Sequence, residues 1–336
     1  MKKFFTVLLS ASLAAFTAVG LSACGNESNE AVNLVAITTA QVGVTDDIDY
    51  YVVAEPAAST KAKVIPSLNF AGDLQQLYGG QNGYPQAVIV AKNNLLEYGF
   101  VGDFLEAVAE NKQWILNDGT SIQTLTDAVQ SHLTDGMSPT FSAANLTKDV
   151  ISNCSINLTY AYNDKQEIND FIEKVNSVSE VSFGTAADGF FYNGGYPDVE
   201  FSGKVSVYAP DGAPALGLAN LLAGEKSFEN VTVDYNIVEP SLMQTYVTGK
   251  NSKADICVLP VNIAVKLLGN GAKYKLVGTL THGNLFLLSK SGDKITPDNI
   301  AGLKGKKVGV VNLAAVPGLT FKVILKDSGL DFVELV

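Results

Sequence analysis

Short apolar, β-branched runs alternate along the chain with stretches whose apolar residues recur at helical spacing. Apolar runs of four to eight residues indicate strands, and a 3.6-residue period indicates helices. The pattern predicts strands at 32–38, 49–54, 87–91, 204–209, 231–238, 255–259, 274–279, 285–289 and 307–311. It predicts helices at 101–117, 121–133, 165–177, 213–223, 241–248, 261–268 and 317–328. Such alternation is typical of α/β proteins with mixed, mostly parallel sheets flanked by helices.

The first 23 residues have the pattern of a secretory signal. Lys2 and Lys3 precede an apolar run from Phe4 to Leu21, and small residues then lead to Cys24. A charged start, an apolar middle and a small-residue exit are the marks of an export signal. The tetrapeptide ending at Cys24 resembles a bacterial lipobox, which predicts lipidation of that cysteine and a polar tether over 24–31. An ordinary cleaved signal and a membrane anchor are the alternatives.

The charge of the chain limits its partners. The net charge is −11, and it becomes −13 once residues 1–23, which carry two lysines and no acid, are removed. An acidic surface disfavours nucleic acid and anionic lipid as partners. The resemblance to a lipobox, and not the charge, implies the location: the extracytoplasmic face of the cell membrane, with the lipid on Cys24 as the contact to the bilayer.

Few residues carry the chemistry of metal or catalytic sites. Besides Cys24 the chain has Cys154 and Cys257, which either pair as a disulfide or stay separate, and Cys257 has the surroundings of a buried small apolar residue. The two histidines, His132 and His282, have no ligand partners at metal-site spacing. No nucleophile, phosphate-binding or dinucleotide motif occurs. We predict no enzyme activity, no cofactor and no metal.

The second part of the chain, 204–336, carries several characteristic segments. They are YAPDGAP at 208–214, ADICVLPVN at 254–262, GNLFLLS at 283–289 and IAGLKGKKVGV at 300–310. These segments resemble the first half of the periplasmic solute-binding proteins of ABC importers, in the group that serves thiamine precursors, sulfonates and nitrate. The resemblance implies a two-lobed type II periplasmic-binding-protein fold.

The first part, 32–192, resembles the second half of the same family. IDYYVVAEP at 48–56 and GYPQAVIV at 83–90 carry this resemblance. The halves thus stand in reversed order, which predicts a circularly permuted chain. Lobe 1 would span 94–290, and lobe 2 would combine 32–92 with 291–336. The Gly- and Pro-rich segment 193–203 would connect the usual termini of the family. A mis-assembled or truncated gene from a tandem array is the alternative.

Ligands of open α/β sheets bind beside the carboxyl ends of strands, so the turns after strands supply the candidate site residues. They are Asp211, Gly212, Ala213, Pro260, Asn262, Asn312 and Ala314, with Glu55 at the end of the strand 49–54. The loop before the expected hinge strand 285–289 adds Thr281 and Asn284, and the Gly-Tyr-Pro turn adds Tyr84 as an aromatic ring that could stack on a ligand. For Asp211, Asn262 and Asn312 the alternative is a helix cap, for Glu55 a hinge contact, and for Tyr84 plain packing. The solitary His282 is interpreted as a surface or hydrogen-bonded residue.

The resemblance implies a monomeric receptor that captures a small molecule between its lobes and delivers it to an ABC permease. Segments 285–289 and 87–91 are the expected crossings between lobes. The candidate turns contain no arginine, which favours a neutral or weakly charged nitrogenous ligand, related to a thiamine precursor, over a doubly charged anion. A lipoprotein that senses a ligand without transporting it, and a non-functional gene fragment, are the alternatives.

Overall fold

A computed structural model describes residues 30–80, 82–250 and 252–335. The predicted leader, Cys24 and most of the tether lie outside these residues. The described chain is an α/β protein with two six-stranded mixed sheets flanked by helices, which confirms the coarse fold class.

The first sheet has the strand order β12-β1-β11-β2-β10-β3. Its members are β1 (Val32–Ile37), β2 (Tyr50–Ala54), β3 (Asn69–Asp73), β10 (Leu285–Ser289), β11 (Lys307–Val311) and β12 (Phe332–Leu335). β12, β1, β11 and β2 run parallel, and β10 runs antiparallel to both β2 and β3.

The second sheet has the order β5-β9-β4-β8-β6-β7. Its members are β4 (Ala87–Lys92), β5 (Ile156–Tyr160), β6 (Gly203–Pro210), β7 (Val231–Val238), β8 (Ile256–Pro260) and β9 (Tyr274–Thr281). β7, β6 and β8 are parallel, while β4 runs antiparallel to β8 and β9.

Eleven α-helices of the described chain flank the sheets. They are α1 (Ala57–Val64), α2 (Leu74–Tyr78), α3 (Phe100–Leu116), α4 (Ile122–Gln130), α5 (Lys148–Asn153), α6 (Ala161–Val178), α7 (Ala213–Leu216), α8 (Ala219–Leu222), α9 (Met243–Val247), α10 (Val261–Leu268) and α11 (Val316–Asp327). Ser121 and Thr147 cap α4 and α5 by accepting hydrogen bonds from backbone amides of the first turn. The structure divides the predicted helix 213–223 into α7 and α8 at Gly217 and Leu218. A Cβ on Gly217 would lie 2.8 Å from the Leu280 side chain, so this close contact requires glycine.

The chain crosses between the two sheets twice. The chain leaves the first sheet after β3 and α2 and enters the second as β4, and it returns from β9 to the first sheet as β10. The strands of the predicted lobe ranges fall in the corresponding sheets, except that β4 and β10 lie in the opposite ones. The division into lobes itself stays a prediction. The predicted connector 193–203 contains no helix or strand before Gly203.

The first and last described strands are neighbours. β12 lies parallel to β1, with Asn33 opposite Val333. On α11, the buried ammonium group of Lys322 forms an ion pair with Glu334 of β12. The strands 32–37 and 332–335 are therefore side by side in one sheet and not end to end.

One apolar cluster extends through both sheets. It includes Leu34 and Val308 of the first sheet, Leu259 and Leu276 of the second, and Phe171 of α6. The helices α6 and α11 also meet through the ion pair between Lys174 and Asp327, whose charged atoms are 2.7 Å apart. Tyr84, which lies on the connection from the first sheet to the second, belongs to this cluster.

Candidate functional site

The two crossing segments, 82–86 and 282–284, lie against each other. The backbone amide of Gln86 donates to the carbonyl of Thr281 at 3.0 Å. Gly83 has φ +107°, and a Cβ at this position would lie 2.3 Å from the carbonyl oxygen of His282. Only glycine permits both this backbone conformation and this approach.

A chain of hydrogen bonds, which we call the polar junction, surrounds the crossings and consists of Glu55, Gln86, Asn153, Thr281 and Asn284. The Gln86 side chain donates from Nε2 to Asn284 Oδ1 at 2.9 Å and accepts at Oε1 from Thr281 Oγ1 at 3.2 Å. Asn284 Nδ2 donates to the Glu55 carbonyl at 3.4 Å. The structure thus brings together three predicted site residues: Glu55, Thr281 and Asn284.

Glu55 connects the two sides of the polar junction. Its Oε1 accepts from Asn153 Nδ2 at 2.7 Å and from Ser59 Oγ at 2.6 Å, while its Oε2 accepts from the Ser59 amide at 3.0 Å. Asn153 ends α5, which packs with α3 beside the second sheet, whereas Glu55 follows β2 of the first. These bonds favour a hinge role for Glu55 over the alternative of pairing with a cationic ligand.

His282 is not a surface residue. It is 1% exposed, and its Nε2 lies 3.1 Å from Thr159 Oγ1, whose hydroxyl donates to Asp164. Burial lowers the pKa of His282 from 6.5 to about 4, against the opposing effect of Asp164. The imidazole is therefore neutral at pH 7, and it fixes the second crossing segment to β5 and α6.

Tyr84 lies in the apolar core. Its ring is fully buried, stacks on Phe171 with centroids 5.9 Å apart and meets the edge of Tyr78 at 5.8 Å. Burial raises the pKa of the Tyr84 hydroxyl. This environment favours the packing alternative over stacking on a ligand ring.

The turn after β6 holds three predicted residues, Asp211, Gly212 and Ala213, all of which are buried. Asp211 does not cap a helix, because the N-cap of α7 is Gly212. The carboxylate instead accepts from the Gly212 amide at 2.8 Å and from the Thr140 amide at 2.6 Å. Asp211 thus anchors the loop that contains Thr140 against the end of β6.

The turn after β8 lies beside the polar junction. The amide of Val261 donates to the Gln86 carbonyl at 2.9 Å, immediately after Pro260. Asn262 is buried, and its Oδ1 accepts from the amide of Ile263 at 2.9 Å. The Asn262 side chain therefore supports the start of α10.

A surface depression of about 450 Å³ lies at the carboxyl ends of β1 and β11, and we call it the strand-end depression. Asn312 and Ala314 line it, as predicted for a strand-end turn, together with Thr38 and Gln41. Asn312 is exposed and has φ +60°, which asparagine tolerates better than most residues. The complete lining is Ala36, Ile37, Thr38, Gln41, Asn312, Leu313, Ala314 and Glu334.

The sequence reasoning missed several residues of these sites. Thr38 directly follows β1, so the rule that selected Asn312 after β11 also selects Thr38. Gln86 and Asn153 had no such signal, because each acts through a partner that lies 98 or more positions away in the chain. Cys154 and Cys257 are separate buried thiols, and burial raises the pKa of both.

The sequence matches no protein-family model, no curated protein and no solved structure. Within residues 30–80, 82–250 and 252–335, no group of three or more His, Cys, Asp or Glu side chains is arranged to hold a metal ion. Among the helices of these residues, none has the length and apolar character of a membrane span.

Proposed function

We propose that the protein is an extracytoplasmic solute-binding receptor of an ABC importer. In this proposal, a lobe built around each sheet closes over a small molecule, and the fold is a circularly permuted type II periplasmic-binding-protein fold. Lipidation of Cys24 would hold the receptor at the membrane, where the closed form would dock on its permease.

The two crossings of the chain between the sheets carry this proposal. β4 lies between β8 and β9 of the second sheet, and β10 lies between β2 and β3 of the first. β4 follows the crossing segment 82–86, and β10 follows the crossing segment 282–284. The two segments together form a two-stranded connection between the sheets. Hinges are a few residues at the ends of elements that absorb changes in backbone angle. Gly83 and Gly283, both with positive φ, are suited to that role.

The strand-end depression is the proposed contact surface for the solute. It lies beside the carboxyl ends of parallel strands, which is where α/β sheets bind ligands. Its lining offers the side-chain amides of Gln41 and Asn312 and the carboxylate of Glu334, and it contains no lysine or arginine. The Thr38 hydroxyl in this lining donates to Gln41 Oε1 at 3.0 Å. These groups can donate to and accept from the edge of a heterocycle. The proposed ligand is therefore a thiamine-precursor-like or other small nitrogenous solute, with sulfonates as the second class to test.

The pairing of β1 with β12 brings the first and last described strands into one sheet, as a permuted chain with a lobe built from both ends requires. Because the two strands are parallel, the end of β12 and the start of β1 lie at opposite ends of the pair. A segment that linked them would have to run back along the length of about four residues, or roughly 13 Å. Parallel neighbours always need such a return connection. In this proposal the first and last described strands help to complete a single lobe. The segment 193–203 joins the two positions at which chains of the family usually begin and end.

Asn312→Gly tests the proposed ligand surface. Glycine keeps the positive φ without strain and removes only the amide side chain. We expect at least one compound among pyrimidines, sulfonates and nitrate to raise the melting temperature of the purified chain, because a ligand that binds only the folded state stabilises it. Asn312→Gly should weaken that compound about tenfold in a calorimetric titration, as expected for the loss of one or two hydrogen bonds.

The matched control is Asn230→Gly. Asn230 also has positive φ, at +59°, and is exposed, but it lies at the start of β7 away from the strand-end depression. This variant should bind like the wild type. The proposal fails if none of the three compound classes stabilises the protein, or if both variants bind with wild-type affinity.

A further inference from the structure

An aromatic groove of about 420 Å³ lies at the segment 193–203, outside the site proposed above. Its walls are the start of α3, the residues 196–201 and the residues 228–231. None of its lining residues belongs to the polar junction or to the strand-end depression. The groove is therefore a separate site from the strand-end depression.

Gly99, which precedes α3, and Gly102 in its first turn allow the segment 196–201 to pack closely. Gly99 donates its amide to the Val199 carbonyl at 2.9 Å. A Cβ on Gly102 would lie 3.0 Å from the ring of Tyr196, so the aromatic ring lies directly on the helix backbone. The segment is thereby fixed against α3 and forms one wall of a defined groove.

Aromatic rings form the floor. Phe100 packs edge-to-face on Phe228 with centroids 5.1 Å apart, and it packs on Phe201 at 5.8 Å. Phe201, Phe228 and Tyr196 are half-buried, so part of each ring faces the groove. The faces of such rings attract organic cations through the ring quadrupole.

Carboxylates alone supply the charge of the lining. Asp103, Glu106, Asp198, Glu200 and Glu229 line the groove, whose lining contains no lysine, arginine or histidine. None of the five forms an ion pair among the described residues. Asp103 lies in the first turn of α3, where the helix dipole favours a negative charge. The other four carboxylates lie outside this first turn.

We propose that this groove binds an organic polycation of the linear polyamine class. Its methylene segments would lie on the aromatic floor, and its ammonium groups would pair with the carboxylates of the rim. The complementarity has two separate parts: the negative charge selects a cation, and the aromatic floor selects an alkylammonium over a hydrated metal ion. A divalent metal ion could neutralise the rim but gains nothing from the rings.

Calorimetric titration of spermidine into the purified full-length chain tests this proposal. We expect one saturable site in low-salt buffer, with Mg²⁺ binding at least tenfold more weakly. The double variant Glu106→Gln/Glu200→Gln should weaken spermidine at least tenfold, because it removes two charged hydrogen-bond acceptors. Phe228→Leu, which keeps an apolar side chain but removes the ring face, should weaken it severalfold.

The control is the double variant Glu173→Gln/Glu180→Gln, which makes the same change of charge at exposed residues outside the groove. It should retain wild-type affinity for spermidine. Three results would each overturn the proposal: no saturable binding, equal losses in the two double variants, or Mg²⁺ binding as tight as spermidine. Wild-type affinity in Phe228→Leu would contradict the role of the aromatic floor.

Discussion

Phe171→Ala is expected to lower the free energy of unfolding by about 3–5 kcal/mol, the usual cost of removing a buried phenylalanine ring. Phe171 lies on α6 and is 1% exposed. Its ring stacks on Tyr84 of the first crossing segment and meets the edge of Tyr78 on α2, at 5.9 Å in both cases. The ring thus connects α6, which packs on the second sheet, to Tyr78 and Tyr84, which follow β3 of the first sheet. Urea denaturation followed by circular dichroism measures the loss.

Phe171→Leu is the matched variant, because it retains most of the apolar volume and should cost no more than about 1.5 kcal/mol. Leu242→Ala is the surface control, since Leu242 is 47% exposed and should change stability by less than about 0.5 kcal/mol. An alanine variant at position 171 that is no less stable than Leu242→Ala would show that α6 does not pack on the crossing segment as described.

Lowering the pH from 6.5 to 4 is expected to cost the wild type about 3 kcal/mol of stability through His282 alone. Burial lowers the pKa of this group from 6.5 to about 4 in the folded protein. Between these values the unfolded chain binds a proton that the folded protein does not, so stability falls as the pH falls. Each unit of pKa difference corresponds to about 1.4 kcal/mol. The contribution is complete above pH 6.5 and is lost as the pH falls through 4.

Other charged groups near His282 also change the stability between pH 6.5 and 4. Asp164 raises the pKa of His282 and Lys112 lowers it. The pKa of Glu167 on α6 is itself raised by burial, which opposes the loss at low pH because the folded state then takes up its proton more readily. Comparing the wild type with His282→Gln cancels such contributions from the rest of the protein.

His282→Gln should therefore have a flatter stability profile between pH 6.5 and 4, whatever its stability at pH 7. His132→Gln is the control, since His132 is only partly buried, with its Nε2 3.1 Å from the carbonyl oxygen of Leu222, and the wild-type profile should persist. Guanidinium titrations at several pH values give these profiles. Parallel profiles for the wild type and His282→Gln would contradict the buried, neutral imidazole.

β4, β8 and β10 could be predicted from the sequence, because a strand that is buried on both faces has an almost continuous run of apolar residues. β3 and β5 could not, since NFAGD and INLTY are short and interrupted by polar residues or glycine. The helices α1, α2 and α5 were missed because AASTKAKV, LQQLY and KDVISN contain few large apolar residues, whereas α10, which is as short as α1, was predicted from its apolar sequence VNIAVKLL.

The candidate site shows the same limit at the level of tertiary structure. The end of a predicted strand identified Glu55, and the loop before the predicted hinge strand identified Thr281 and Asn284, because both positions can be read locally. The partner of Asn284 is Gln86, which lies 198 positions away, and no local pattern predicts that pair. Tyr84 was selected from its Gly-Tyr-Pro turn, but its packing on Phe171 depends on the placement of α6.

The pairing of the first and last described strands is the central claim of this account. Asn33 and Val333 are opposite each other on β1 and β12. Neighbouring strands are about 4.8 Å apart, within the Cα range that a disulfide spans. Cysteine at Asn33 also removes a buried Oδ1 that has no hydrogen-bond partner, so the exchange should be tolerated.

Peptide mapping of Asn33→Cys/Val333→Cys after mild oxidation tests this claim directly. We expect an intramolecular disulfide between the two new cysteines in the monomer, and no such link in either single variant. Cys154 and Cys257 are fully buried thiols and should not compete. Free thiols at both new positions after oxidation, or links only between separate molecules, would contradict the claim that the two ends of one chain complete one sheet.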